Sequence, residues 1–324
     1  MQGVFLDIET IKPSELDLSA LRAALSGWTF HDRTAPEQVA ERLAGAAVAV
    51  TNKVVIDRAT MDACPDLKFI GISATGTNNV DLDAAREKGI VVSNVVGYST
   101  ATVAQHAMAL MLGLATQWHR YDRDAQRGRW SESTMFCRMD YPVVDLAGRT
   151  LGIIGYGALG QRVAAIARAL GMDVLVAASL RPDASPAPDR VPLPEFLRRA
   201  DVISLHCPLT EDTQGLVNDD FLAAMRPGAF LINTARGPLV DEAALERSLR
   251  AGHLGGAALD VLSQEPPAAD HPLLSGDVPN LIVTPHSAWV STECRQRMVD
   301  QVVENIHAWR NGRPVNVVNG LQGA

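Results

Sequence analysis

The sequence predicts an α/β protein of two Rossmann-like, doubly wound parallel-sheet domains, the smaller one discontinuous and formed from both chain ends. Three observations predict it. Short β-rich runs alternate with helical segments along nearly the whole chain, the pattern of parallel crossovers. A glycine fingerprint sits near the middle of the chain, so a first α/β unit of about 100 residues precedes it. A final helix, about 293–311, lies beyond the last predicted strand, where it can return to the first domain. The expected boundaries are 1–99 plus 288–324 for the small, flavodoxin-like domain and 100–287 for the other, with hinges at 98–102 and 287–292.

In chain order, VFLDI, a helix near Leu18–Leu25, AVAVTNKV, LKFIGISAT and IVVSNV make up the first unit. Thr102–Arg120 reads as a long apolar helix, and Tyr121–Asp145 as a polar stretch leading into the fingerprint. There LGIIGYGALGQRVAAIARALGMDVLV, residues 151–176, reads as strand, glycine turn, helix and second strand. Gly155, Gly157 and Gly160 form G-x-G-x-x-G, with Tyr156, Ala158 and Leu159 between them. The first glycine permits the tight turn, the second lets the backbone approach a pyrophosphate, and the third lets helix pack on strand. The helix that follows aims its N-terminal amides and positive dipole at that pyrophosphate. DVISLHCP, AFLINTA, GGAALDV and LIVTPH are the later strands, separated by helical segments such as Thr213–Met225 and Glu242–Ala251.

Composition narrows the function classes. With 324 residues, 47% of them hydrophobic, the chain can bury two cores. Its 37 acidic against 29 basic residues, net charge −8, argue against a nucleic-acid partner. MQGVFLDIETIKP lacks a basic leader region and reads as a first strand. The longest apolar stretch, Ala107–Thr116, is too short to span a bilayer. Cys64, Cys137, Cys207 and Cys294 lack C-x-x-C spacing, which points to neither metal nor disulfide and to a cytoplasmic location.

Downstream of the fingerprint come HCPLTEDTQGLV (206–217), NTARGPLVDEAAL (233–245), ALDVLSQEPP (258–267) and TPHSAW (284–289), and upstream ATGTNNVDL (74–82) and TATVAQH (100–106). In this order they resemble the D-isomer-specific 2-hydroxyacid dehydrogenase family over nearly the whole chain. TNK at 51–53 and the PHSAW ending look most like its glycerate dehydrogenase, or hydroxypyruvate reductase, branch. The resemblance implies an oxidoreductase that transfers a hydride between NAD(H) or NADP(H) and a small 2-keto or 2-hydroxy acid such as hydroxypyruvate or glyoxylate. It places the catalytic arginine on Arg236, its acidic partner on Glu265 and the acid/base histidine on His286. The chemistry suits these types: a keto acid needs a proton donor at its carbonyl oxygen, histidine titrates near neutrality, and a neighbouring carboxylate favours the imidazolium. A guanidinium offers a planar fork to the substrate carboxylate.

Singly, each has an ordinary alternative. Arg236 can cap a helix or pair with Asp241, Glu265 can be a loop carboxylate, and His286 a strand-end histidine. Their shared place at carboxyl ends of predicted strands, where open α/β sheets bind ligands, favours the functional reading. The resemblance further implies cofactor lining by Val103, Cys207, Pro208, Thr213, Thr234, Ala235 and Asp260, Asp260 receiving the nicotinamide carboxamide. The 1–99 domain then becomes the substrate-binding one, with the Thr75-Gly76 turn and Lys53 holding the substrate alongside Arg236 and His286. Trp289 and Tyr98 are candidate pocket walls. His206 lines the cofactor through its backbone, His106 is structural, and the helix Thr102–Ala115 is either core or the subunit interface of a homodimer.

One position departs from the NAD-preferring pattern. The aspartate that accepts the adenosine ribose hydroxyls falls on Ala178, with Asp173 preceding that strand, Asp183 beyond it, and Ser179 and Arg181 following Ala178, so NADP(H) is expected to be accepted at least as well as NAD(H). The alternative is a dinucleotide-sensing, non-enzymatic protein of the corepressor type. A formate dehydrogenase would carry glutamine where Glu265 stands.

Overall fold

The computed structural model describes residues 1–180 and 189–321. The chain divides into two compact units, Met1–Ser99 with Trp289–Ala324, and Thr100–Ala288.

The first unit runs β1 (Gln2–Phe5), α1 (Ser19–Ala24), β2 (Gly27–Phe30), α2 (Val39–Leu43), β3 (Val48–Thr51), α3 (Arg58–Ala63), β4 (Phe69–Ile72), α4 (Leu82–Glu87) and β5 (Val91–Ser93). Its five strands are parallel in the order β2-β1-β3-β4-β5. Side-chain alternation sorts two cores. Val4, Leu6, Ala49 and Ile70 pack with residues of α2, α3 and α4, whereas Phe5, Val48, Val50 and Phe69 pack with Met298, Val299, Val302 and Ile306 from the far end of the chain. β3 and β4 are buried along their full length, as expected of parallel strands covered on both faces. β2 escapes the sequence reading because GWTF is a half-exposed edge strand of four residues, too short for its alternation, Trp28 and Phe30 toward the core and Thr29 outward, to stand out.

The second unit runs α5 (Thr100–Thr116), α6 (Trp118–Gln126), β6 (Thr150–Ile154), α7 (Ala158–Ala169), β7 (Asp173–Val176), α8 (Leu193–Arg199), β8 (Val202–Leu205), α9 (Asp219–Ala224), β9 (Phe230–Asn233), α10 (Glu242–Arg250), β10 (Gly256–Leu259) and β11 (Leu281–Val283). The last helix, α11 (Thr292–Arg310), returns to the first unit. The six strands are parallel in the order β11-β10-β9-β8-β6-β7. Strand order reverses direction between β1 and β3 in one unit and between β6 and β8 in the other, which defines two topological switch points.

Three local readings change. α5 stops at Thr116 because Gln117 takes a left-handed conformation (φ 55°), and its Nε2 donates to Leu114 O and Asn280 Oδ1 at 2.6 and 2.7 Å; the chain restarts as α6. Of Thr213–Met225 only α9 is helical, capped by Asn218 Oδ1, which accepts from Phe221 N at 3.1 Å. Asp173 opens β7 instead of preceding it. α5 is core: Ala104, Ala107, Met108, Met111 and Leu114 are buried against α7 and the sheet.

Candidate active site

The glycine loop leaves β6 at the switch point of the second unit. Gly155 adopts φ 93°, and any side chain there would collide with the backbone of His206 and Cys207 at the end of β8, so only glycine lets the two strand ends approach. Gly157 caps α7 without a side-chain hydrogen bond, and a Cβ at Gly157 would meet nothing within 4 Å. Ala158, Leu159 and Gly160 form the first turn of α7, which holds no acidic residue and, among the described residues, no side-chain cap. That combination is an open anion cradle.

Other predicted lining residues fall at neighbouring strand ends. Cys207 is buried after β8, and burial pushes its thiol up to about 11. Thr213 Oγ1 donates to Pro208 O and accepts from Thr210 N, both at 2.8 Å, which curls that loop. Thr234 Oγ1, just past β9, is buried with no hydrogen-bond partner among the described residues, and Ala235 follows it half-buried. Val103 is buried in the first turns of α5. Ala178 N donates to Val191 O at 2.8 Å beyond β7, and Ser179 next to it is exposed. Arg181 lies outside the described residues. The open cradle at Gly157, the uncapped helix and the unpartnered Thr234 hydroxyl fit a dinucleotide.

Arg236, Glu265 and His286 follow β9, β10 and β11, three adjacent strands. Buried Asn233 braces the Arg236 loop: its Nδ2 donates to Arg236 O at 2.8 Å and its Oδ1 accepts from Ala235 N at 3.0 Å. The Arg236 side chain is exposed, one Nη1 donating to Ala235 O at 2.7 Å. Gly237 sits so close to the Leu262–Ser263 backbone that a Cβ would strike it; the Arg236 loop therefore rests on the loop that carries Glu265. Glu265 Oε1 accepts from Leu262 N at 2.9 Å, and Oε2 meets His286 Nδ1 at 2.6 Å, with both side chains about one-third exposed. With Nδ1 committed to the carboxylate, Nε2 is the ring nitrogen that can exchange a proton with a ligand.

His286 itself is a non-glycine residue at φ 51°, a left-handed conformation that costs about 1–2 kcal/mol. Asp260 holds it there. Asp260 O accepts from His286 N at 2.8 Å, and its carboxylate accepts from Ser287 N and Ala288 N at 2.9 Å each and from Thr284 Oγ1 at 2.5 Å. His106 Nε2 completes the cluster, 3.0 Å from Thr284 Oγ1 and 3.4 Å from Asp260 Oδ1. Burial works to raise the Asp260 pKa, but the hydrogen bonds from His106, Thr284 and the two amides outweigh it and hold the carboxyl below its usual range. The structure thus gives Asp260 a bracing role beyond the carboxamide contact that the resemblance implies. It also joins His106 to the same cluster.

His206 Nε2 lies 2.9 Å from Ser204 Oγ, and Nδ1 is shielded without a partner among the described residues; desolvation lowers its pKa to about 4.

In the first unit Lys53 is exposed just past β3, and Thr75-Gly76 lies past β4, with Thr75 Oγ1 donating to Val95 O at 3.1 Å and Thr75 O accepting from Asn94 Nδ2 at 2.7 Å. The sequence reading missed Asp7. Its buried carboxylate accepts from the amides of Asn52 at 2.9 Å, Lys53 at 2.6 Å and Val54 at 3.2 Å, clasping the loop that bears Lys53. Asn233 and Thr284 were also missed; their signal was a polar residue at each strand end, within NTARG and TPH.

Comparison with known proteins agrees with this geometry. Residues 108–288 match the family model described as D-isomer specific 2-hydroxyacid dehydrogenase, NAD binding domain. The chain is 45% identical to the glycerate dehydrogenase of Methylorubrum extorquens, covering 97% of this chain and 98% of that one. It is 40% identical to the hydroxypyruvate reductase of Blautia hydrogenotrophica, covering 98% and 100%. Among solved structures, the NADPH-dependent glyoxylate/hydroxypyruvate reductase of Sinorhizobium meliloti superposes with a TM-score of 0.83 at 28% identity, covering 98% of this chain and 97% of that one. The chain belongs to the D-isomer specific 2-hydroxyacid dehydrogenase family, and its second unit carries that family's NAD-binding domain for a nicotinamide cofactor.

Proposed function

We propose that the protein reduces hydroxypyruvate, or glyoxylate, to D-glycerate or glycolate. The observation that carries this is the 2.6 Å bond from His286 Nδ1 to Glu265, on the same sheet as the open glycine cradle. The names of the relatives support the substrate class. When bound, the reduced nicotinamide supplies the hydride that reaches the carbonyl carbon. Protonated His286 delivers the matching proton from Nε2 to the carbonyl oxygen, giving the alcohol, and regains it from solvent. Glu265 steadies the imidazolium, and the exposed Arg236 fork pairs with the carboxylate of the keto acid. Lys53 and the Thr75-Gly76 turn are proposed as substrate-binding groups of the first unit. We assign the first unit to substrate and the second to cofactor.

Replacing His286 by Gln should lower kcat by about 10²- to 10⁴-fold with cofactor affinity retained. Unchanged turnover would remove the assignment, and an inactive wild type that still binds dinucleotide would favour the sensor reading. For the cofactor, Ala178 leaves no carboxylate to repel a 2′-phosphate, so kcat/KM with NADPH should equal or exceed that with NADH. Four free cysteines support a cytoplasmic location.

We also infer a homodimer, with the interface on 118–143 instead of on α5. That segment exposes Trp118 (60%), Trp130 (56%), Phe136 (90%) and Met139 (76%), an outward apolar group of the kind that marks interaction sites. Within 118–143 five arginines (120, 123, 127, 129, 138) stand against four acids (122, 124, 132, 140), of which Asp124 is buried, so on a chain of net charge −8 this segment is locally basic and mixed in sign, a face that a second, acidic copy can meet. Light scattering should report a dimer that Phe136→Asp converts to monomer; a monomeric wild type would end this inference.

A further inference from the structure

We propose that Arg190 reads the 2′-phosphate of NADP(H), a task the sequence reading gave to Ser179 and Arg181. The proposal rests on the dinucleotide reading of the glycine cradle and adds the residue that decides between the two cofactors. Residues 189–191 run alongside the end of β7: Val191 N donates to Val176 O at 2.9 Å, Ala178 N donates to Val191 O at 2.8 Å, and Ala177 bridges Val191 in parallel. This pins Arg190 at the carboxyl end of the second strand, where a bound dinucleotide presents its adenosine ribose.

The side chain reaches a residue of the glycine loop. Its guanidinium carbon lies 5.0 Å from the ring centroid of Tyr156, the residue between Gly155 and Gly157, a cation–π distance that orders the guanidinium over that ring. One Nη1 reaches Ala177 O at a long 3.5 Å. Asp189 is the acid paired with Arg190, but at 3.8 Å and 74% exposed it neutralises little of the charge. Arg190 Nε is shielded from solvent and has no hydrogen-bond partner among the described residues, an unmet donor at a ligand-binding strand end. Ala178, at the position where a carboxylate would hold the ribose hydroxyls, offers that cation no internal anion. A phosphate monoester supplies the charge and acceptors that this guanidinium lacks.

The test is calorimetric titration of 2′,5′-ADP and of 5′-AMP into the wild type and Arg190→Gln at low and high salt. The wild type should bind 2′,5′-ADP about 10- to 100-fold more tightly than 5′-AMP, an advantage that weakens with salt. Arg190→Gln should lose most of that advantage while its affinity for 5′-AMP stays the same. A variant that keeps the advantage, or one that weakens both ligands equally, overturns the proposal. So does a wild type without preference. A wild type that binds neither nucleotide overturns the dinucleotide reading as well, so the two failures are told apart.

Discussion

The two switch points share a topology and are finished in opposite ways. In the first unit an internal anion fills the place between the diverging strands: Asp7, after β1, takes the amides of Asn52, Lys53 and Val54 after β3. In the second unit no acid stands there among the described residues; glycines bring β6 and β8 together, and α7 begins without a side-chain cap. The amides that one crevice spends on its own carboxylate are left open in the other, where we propose that a phosphate binds. Parallel α/β architecture therefore offers an anion site at each reversal, and a single residue decides whether the protein or a ligand occupies it.

Filling the open crevice should have the largest effect. Gly157→Asp places an anion where the pyrophosphate is expected, in space that accommodates a side chain, so cofactor affinity should fall at least about 100-fold with melting temperature preserved. Undiminished binding, read by cofactor fluorescence, would break the comparison. Next comes the acid response of His206. The unfolded ring titrates near 6.5 and the folded one near 4, so between those values the unfolded state binds more protons and stability rises with pH. The loss on acidification is at most roughly 3 kcal/mol, and His206→Gln should flatten denaturation midpoints across that window. A smaller effect is expected from emptying the closed crevice. Asp7→Ala strands three amides and should cost about 1–3 kcal/mol without changing cofactor affinity. Burial raises the Asp7 pKa above 3.8, outweighing the amide bonds, so its stabilising contribution is greatest in acid and shrinks as pH rises through the folded value. Its penalty on mutation should shrink likewise, opposite in sign to the His206 trend.

Much of the architecture was legible because it is written locally. Apolar runs such as VAVT and FLIN, and the spacing of Gly155, Gly157 and Gly160, state strand and turn within a few residues. Arg236, Glu265 and His286 were recognisable from the motifs around them as residues at strand ends. What stayed hidden was non-local or lacked a pattern. β2 is an edge strand of only four residues, too short to show a period, and the break after Thr116 depends on Gln117 bonding to Asn280, 163 positions away. Tyr121–Asp145 read as polar, yet Phe136 and Met139 point outward from it, since composition does not say which way a side chain faces.

The amino-acid order alone determined the fold class, the glycine turn and the residue types gathered at strand ends, because backbone preference and hydrophobic period act over short distances. Tertiary structure decided the rest: that Asp260 forces His286 into a left-handed conformation, that Asp7 closes one crevice, and that Arg190 lies over Tyr156. Each of these joins groups brought together by a parallel crossover, where hydrogen-bond geometry and burial are set by packing.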